Sequence, residues 1–143
     1  MSNKGFTLIE LILTISILLI VLTIVVPVLN RDMFYMEKMA NEFITDVRYV
    51  QMECMKNPYA TYRISINKDE GCYHVLNNTV KEKTVEFKSR YKIDYTNINM
   101  QSIGFTYEGI PLNAGTFRII DTRTNEIIEV SIVPTTGRTV IKE

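Results

Sequence analysis

The sequence predicts an α+β protein in which a long N-terminal helix is laid on a mainly antiparallel β-sheet. Three observations predict it. An uncharged apolar run extends from Leu11 to Leu29, apolar residues then recur every three or four positions from Met33 to Cys54, and after Pro58 the apolar period drops to two. A helical stretch followed by a run of short strands is the pattern of an α+β fold, with the helix on one face of the sheet.

The apolar run comes first. As a helix, Leu11–Leu29 would extend ~28 Å, close to the hydrocarbon thickness of a bilayer. A secretory signal peptide has a shorter apolar stretch followed by a small-residue cleavage site. Here the order is inverted: a short polar head, Met1-Ser2-Asn3-Lys4-Gly5, precedes the run, and nothing like A-x-A follows it. The segment is therefore expected to be retained. Lys4 ahead of the span places the N-terminus in the cytoplasm and everything after Asn30 outside.

Glu10 interrupts the apolar sequence near its start. An acidic side chain costs roughly 2.5–3.5 kcal/mol at the centre of a span and less near its end. Two readings follow. The carboxylate snorkels to the interface, or it pairs with a positive charge brought by another subunit. Pro27 likewise has two: it removes a backbone hydrogen bond and kinks the helix, or it marks the helix end at the membrane surface.

Beyond Asn30 the helix becomes amphipathic. Met33, Met36, Ala40, Phe43, Val47, Val50 and Cys54 form one stripe; Glu37, Lys38, Asn41, Glu42, Thr45, Asp46 and Arg48 fill the other face. The stripe is expected to pack on the chain's own sheet. Asn57-Pro58 stops it, because the residue before proline disfavours the helical region. The result is one helix from about Phe6 to Lys56.

The strands follow. Tyr62, Ile64 and Ile66 alternate with Arg63, Ser65 and Asn67; Tyr91, Ile93 and Tyr95 with Lys92 and Asp94; Ile128, Val130 and Ile132 with Glu129 and Ser131. Asp69-Glu70-Gly71 and Asn77-Asn78 are expected turns, and Thr122 to Asn125 joins two strands as a hairpin. In domain terms, residues 1–5 are a leader, 6–29 a transmembrane helix, and 30–143 an extracytoplasmic domain that is helical to about residue 57 and then β-rich.

Lys4-Gly5-Phe6-Thr7-Leu8-Ile9-Glu10, followed by an unbroken apolar run, resembles the class III signal of type IV pilins and type II secretion pseudopilins. The resemblance implies a pilin-like fold and cleavage between Gly5 and Phe6 by a prepilin peptidase. It also implies N-methylation of the new Phe6 amine, and a pairing of Glu10 with the N-terminal ammonium of a neighbouring subunit. The implied partners are other pilins or pseudopilins of one filament, the prepilin peptidase, an inner-membrane assembly platform and membrane lipid.

In the C-terminal third, Phe105-x-x-x-Gly109-x-Pro111-x-x-x-Gly115-Thr116 and the later Thr136-Gly137-Arg138 resemble the GspH/FimT group of minor pilins and pseudopilins. Gly109-Ile110-Pro111-Leu112-Asn113-Ala114-Gly115 and the terminal Gly-Arg are similar to the competence pseudopilins of the ComGD type. On residues alone, each glycine could simply serve a turn that needs positive φ. DNA enters as a partner through this resemblance, with Arg118, Arg123, Arg138 and Lys142 as candidate phosphate contacts. Asp121, Glu126, Glu129 and Glu143 cancel those charges within the same segment.

Composition narrows the classes further. The 143 residues carry 16 Lys+Arg against 16 Asp+Glu, so the basic footprint typical of nucleic-acid binding is missing at whole-chain level. Cys54 and Cys72 are too few for a disulfide scaffold. They either bridge the helix end to the second strand or stay as buried free thiols. His74, the one histidine, has no acid or nucleophile companion at motif spacing. No P-loop, dinucleotide-binding glycine pattern or metal-ligand cluster is recognised, and neither enzyme nor cofactor is expected. The expected function is a filament subunit for competence, pilus assembly or secretion. The alternatives are a DNA- or substrate-binding module at a filament tip, and a plain single-pass anchored domain.

Overall fold

The computed structural model describes residues 7–59 and 61–142. The chain divides into two units, Met1–Tyr35 and Met36–Glu143.

The first unit is built on α1, Leu8–Met33. From Leu11 to Leu29 it is uncharged and apolar all round, as in a helix whose whole circumference is to be covered by something other than water. Pro27 has no N–H to offer the Thr23 carbonyl, yet α1 continues to Met33, so the helix does not end at the proline.

α2 spans Tyr35–Lys56, and Phe34 between the two helices is not helical. The single helix expected from about Phe6 to Lys56 is therefore two helices. The break coincides with a change in what stabilises the backbone. α1 is uncharged from Leu11 to Leu29, whereas α2 is held by a buried stripe that begins at Met36. At the C-terminal end, the Asn57 side chain accepts a bond from the Tyr59 N–H at 2.9 Å, a turn that closes the helix just as Pro58 forbids its continuation.

From Met36 onward the stripe is as the periodicity predicts: Met36, Ala40, Phe43, Val47, Val50 and Cys54 are all buried, joined by Met39 and Ile44, while the side chain of Met33 lies outside those described. Asp46 departs from expectation. It belongs to the polar face by pattern, yet it is buried, because it accepts a 2.7 Å bond from the Tyr73 hydroxyl and 2.8 and 2.9 Å bonds from Lys83 Nζ. Burial and the bond to Asp46 together push the Tyr73 hydroxyl far above its ordinary range. The pair locks α2 to the sheet through a fully desolvated phenol.

Among the described residues eight strands follow: β1 Tyr62–Asn67, β2 Cys72–Asn77, β3 Val80–Glu86, β4 Tyr91–Tyr95, β5 Ser102–Gly104, β6 Gly115–Asp121, β7 Ile127–Ile132 and β8 Thr139–Lys142. They form two antiparallel sheets, ordered β3-β2-β1-β5 and β4-β6-β7-β8, where the sequence predicts one. Alternation along a strand reports which face is buried but not which strands share hydrogen bonds, so the division into two sheets is a tertiary outcome. The expected turns are present: residues 68–71, with Gly71 at φ 62°, precede β2; Asn78, at φ 56°, joins β2 to β3; and Asn125, at φ 60°, completes the β6–β7 hairpin.

The core lies where α2 meets both sheets. The Phe43 ring stands edge-on to Tyr73 of β2 at 5.3 Å and stacks on Phe117 of β6 at 4.0 Å. All three rings are fully buried. A ring in this position, touching three elements, is one whose truncation to alanine costs about 3–5 kcal/mol. The α+β class and the helix-on-sheet arrangement are thus as expected.

Candidate functional site

Thr7 and Glu10 build the head of α1. Thr7 precedes the helix and its carbonyl accepts the first helical bond, from Leu11 N–H at 3.2 Å. Its hydroxyl accepts from the Glu10 N–H at 3.3 Å and donates to Glu10 Oε2 at 2.8 Å. Glu10 Oε2 also accepts from the Thr7 N–H at 2.9 Å. This is a reciprocal capping box, in which the first and fourth residues of T-x-x-E satisfy each other's exposed donors. The signal for it, a threonine three residues before the glutamate, stands in the sequence beside the features that first draw attention to Glu10. Both bonds fall on one carboxylate oxygen. Gly5 and Phe6, the expected cleavage and methylation positions, lie outside the described residues.

Behind this head, every side chain from Leu8 to Val26 is exposed, and the segment is long and apolar enough to cross a membrane. Exposure on this scale is unfavourable in water at ~25 cal/mol per Å². The surface calls for lipid or for other apolar helices.

The remaining candidates are distributed over the second unit. Cys54 and Cys72 are free and buried, so the bridge considered from sequence is not formed. Cys54 donates to the Tyr62 carbonyl at 3.4 Å, at the start of β1, whereas Cys72 pairs with Asn67 at its end. Five residues of strand separate those points, ~17 Å. Burial pushes both thiols above their ordinary range.

Of the candidate cations, Arg118 and Lys142 share one row across β6, β7 and β8 with Glu129 between them, and Arg118 Nε donates to Glu129 Oε1 at 2.7 Å. A carboxylate thus sits between the two positive side chains. Arg123 lies in the β6–β7 turn, and Arg138 follows Gly137 at the other end of β7, ~20 Å along the strand. The four cations do not form one patch.

The C-terminal glycine motif resolves into a clasp on α2. Gly109 and Gly137 are left-handed, at φ 80° and 65°. Gln51 of α2 donates from Nε2 to the Gly109 carbonyl at 2.8 Å and to the Thr136 carbonyl at 3.4 Å. Phe105 and Pro111 form an isolated antiparallel bridge that closes the Gly109 loop. Two loops distant in sequence are thereby fastened to one helix.

One grouping was missed by sequence reasoning, which recognised no metal-ligand cluster. Glu70, Cys72 and His74 bring a carboxylate oxygen, a thiol sulfur and an imidazole nitrogen within 4.8 Å of one another. The overlooked signal is the E-x-C-x-H spacing, which on a strand puts alternate residues on one face.

Residues 1–26 match the family model described as the prokaryotic N-terminal methylation motif. No curated protein and no solved structure matches the chain. The matched segment contains the capped head and the exposed span. It supports a type IV pilin-like precursor, a structural subunit anchored by one membrane-spanning helix and assembled with other pilins.

Proposed function

We propose that this chain is a minor pseudopilin of the GspH/FimT type, close to the competence pseudopilins, serving a filament for DNA uptake, pilus assembly or secretion. The observation that carries the reading is the methylation motif at the head of an apolar helix whose side chains are exposed from Leu8 to Val26. The chain inserts with its N-terminus in the cytoplasm and the Met36–Glu143 unit outside. A prepilin peptidase removes residues 1–5 and the Phe6 amine is methylated. Apolar helices of successive subunits then bury one another's surface above the assembly platform. Within that packed, low-dielectric bundle the Glu10 carboxylate pairs with the Phe6 ammonium of a neighbour, which favours one axial register over others. The C-terminal clasp supports the finer assignment, since the motif that resembles the GspH/FimT group is the part that fastens both loops to α2.

Co-expression with a prepilin peptidase in a membrane host tests the reading. Intact-mass measurement is expected to show loss of Met1–Gly5 and gain of one methyl group at Phe6, and a Gly5→Val chain is expected to stay full length. Retention of the first five residues in the presence of an active peptidase would refute the proposal.

A further inference from the structure

We propose that Glu70, Cys72 and His74 form a binding site for one divalent metal ion of the zinc class. Glu70 lies in the turn before β2, and Cys72 and His74 share one face of that strand, opposite the core-facing Tyr73 and Val75. Cys72 Sγ is 3.7 Å from Glu70 Oε2 and 3.7 Å from His74 Nε2. Zinc holds thiolate sulfur at ~2.3 Å and imidazole nitrogen or carboxylate oxygen at ~2.0–2.1 Å, which at the tetrahedral angle puts two such donors about 3.5 Å apart. Both Cys72 contacts therefore stand close to the spacing that a tetrahedral ion requires, and the Glu70 and His74 donors lie within 4.8 Å of each other. The fourth position faces Glu86, which pairs with Cys72 across β3, and the solvent.

The contacts of the imidazole fit the tautomer that a metal ligand needs. Lys81 Nζ, which can only donate, lies 3.4 Å from His74 Nε2, and Thr84 Oγ1 lies 2.9 Å from Nδ1, where it can accept that nitrogen's proton. A ligand histidine fixed through its other nitrogen is the usual outer arrangement of zinc sites. Lys81 is exposed, on a flexible stem, and can leave Nε2 when the ion arrives. A mixed sulfur, nitrogen and oxygen set suits a borderline-soft ion such as Zn²⁺ in preference to magnesium or calcium, which take oxygen ligands. Binding exchanges the thiol proton of Cys72, released to solvent, for the metal–sulfur bond. The ion would tie the β1–β2 turn to the body of β2.

The full chain, in detergent micelles, reduced and without a polyhistidine tag, is titrated with Co²⁺ and then with Zn²⁺. One equivalent per chain is expected, with a thiolate-to-cobalt charge-transfer band that Zn²⁺ abolishes. C72S is expected to lose the band. E70Q and H74Q are expected to weaken binding at least tenfold, and T84V by roughly 10–100-fold. C54S is expected to bind as the unaltered chain does, and K81M more tightly. Circular dichroism confirms that each variant is folded, and E70Q, on an exposed turn, keeps the test available if C72S is not. The proposal is overturned by absence of the band while Cys72 titrates as a free thiol, by unchanged affinity in E70Q and H74Q, or by half an equivalent per chain.

Discussion

At the scale of single residues, Glu10 carries two duties that substitution can separate. In the isolated chain its carboxylate caps α1 through Thr7; in a filament it is proposed to meet a neighbour's ammonium. Glutamine keeps an acceptor for the Thr7 N–H and loses the charge, whereas alanine loses both. We expect Glu10→Gln to insert and fold normally but to fail in cross-linking to sibling subunits, since removing one partner of a desolvated pair costs about 3–5 kcal/mol. Normal assembly of Glu10→Gln alongside failure of Glu10→Ala would leave the cap, not the charge pair, as the reason for the glutamate. Asp121 allows a second prediction. Arg90 holds it by two bonds, Nε to Oδ1 at 2.9 Å and Nη2 to Oδ2 at 2.6 Å, and this contact lowers its pKa to about 2. A carboxylate depressed on folding contributes stability above its unfolded value, near 4, and loses it as pH falls through the folded one. Thermal melts between pH 5 and 2 should therefore show a loss concentrated between about pH 4 and 2, in the same direction as that from the Lys68-bonded Asp94. Asp121→Asn should flatten that slope; an unchanged slope would show that the pair contributes nothing to acid sensitivity.

At the scale of elements, the β7–β8 loop and the Gly109 loop depend on each other through Gln51. A Cβ at Gly137 would lie 2.7 Å from the Gly109 carbonyl and 2.5 Å from Gln51 Nε2. A Cβ at Gly109 would meet mainly the movable end of Met55, at 2.9 Å. Both positions are left-handed, which costs a residue with a side chain about 1–2 kcal/mol. Only Gly137 adds a collision with backbone. Gly137→Ala is thus expected to destabilise more than Gly109→Ala in denaturant unfolding, and equal midpoints would contradict the clasp. The elements themselves were largely legible in the sequence: the α2 stripe, the alternation in β1, β4 and β7, and the turns at 69–71, 77–78 and 122–125. Those signals are local. Asp46 was misplaced because its burial depends on Tyr73 and Lys83, which arrive from β2 and β3, distant in the chain. The Glu70–Cys72–His74 grouping was missed because its spacing has meaning only once β2 is known to be a strand.

At the scale of the whole molecule, the two units have different needs. The core of α2 and both sheets is contained in Met36–Glu143, with Phe43, Tyr73 and Phe117 at its centre. Residues 30–143 are accordingly expected to form a soluble, cooperatively unfolding domain with a single sharp thermal transition. A broad transition with no fixed near-ultraviolet signal would show that the span is needed to hold the core together. The span, by contrast, presents apolar side chains on every side and has no stable existence in water without lipid or partners.

By itself the sequence determined the nature of the N-terminal segment, because a long uncharged run, a polar head and a glutamate at its start are statements about composition and order that no folding can alter. It also determined the helix-to-strand change at Asn57-Pro58, where proline geometry acts on its immediate neighbour. Only the tertiary structure decided that the strands form two sheets, that the cysteines stay apart, that Gly109 and Gly137 converge on Gln51, and that a carboxylate, a thiol and an imidazole come together. Those outcomes depend on which distant backbone segments pair. Pairing is chosen by the packing of the whole core, which hydrophobic period constrains face by face but does not enumerate.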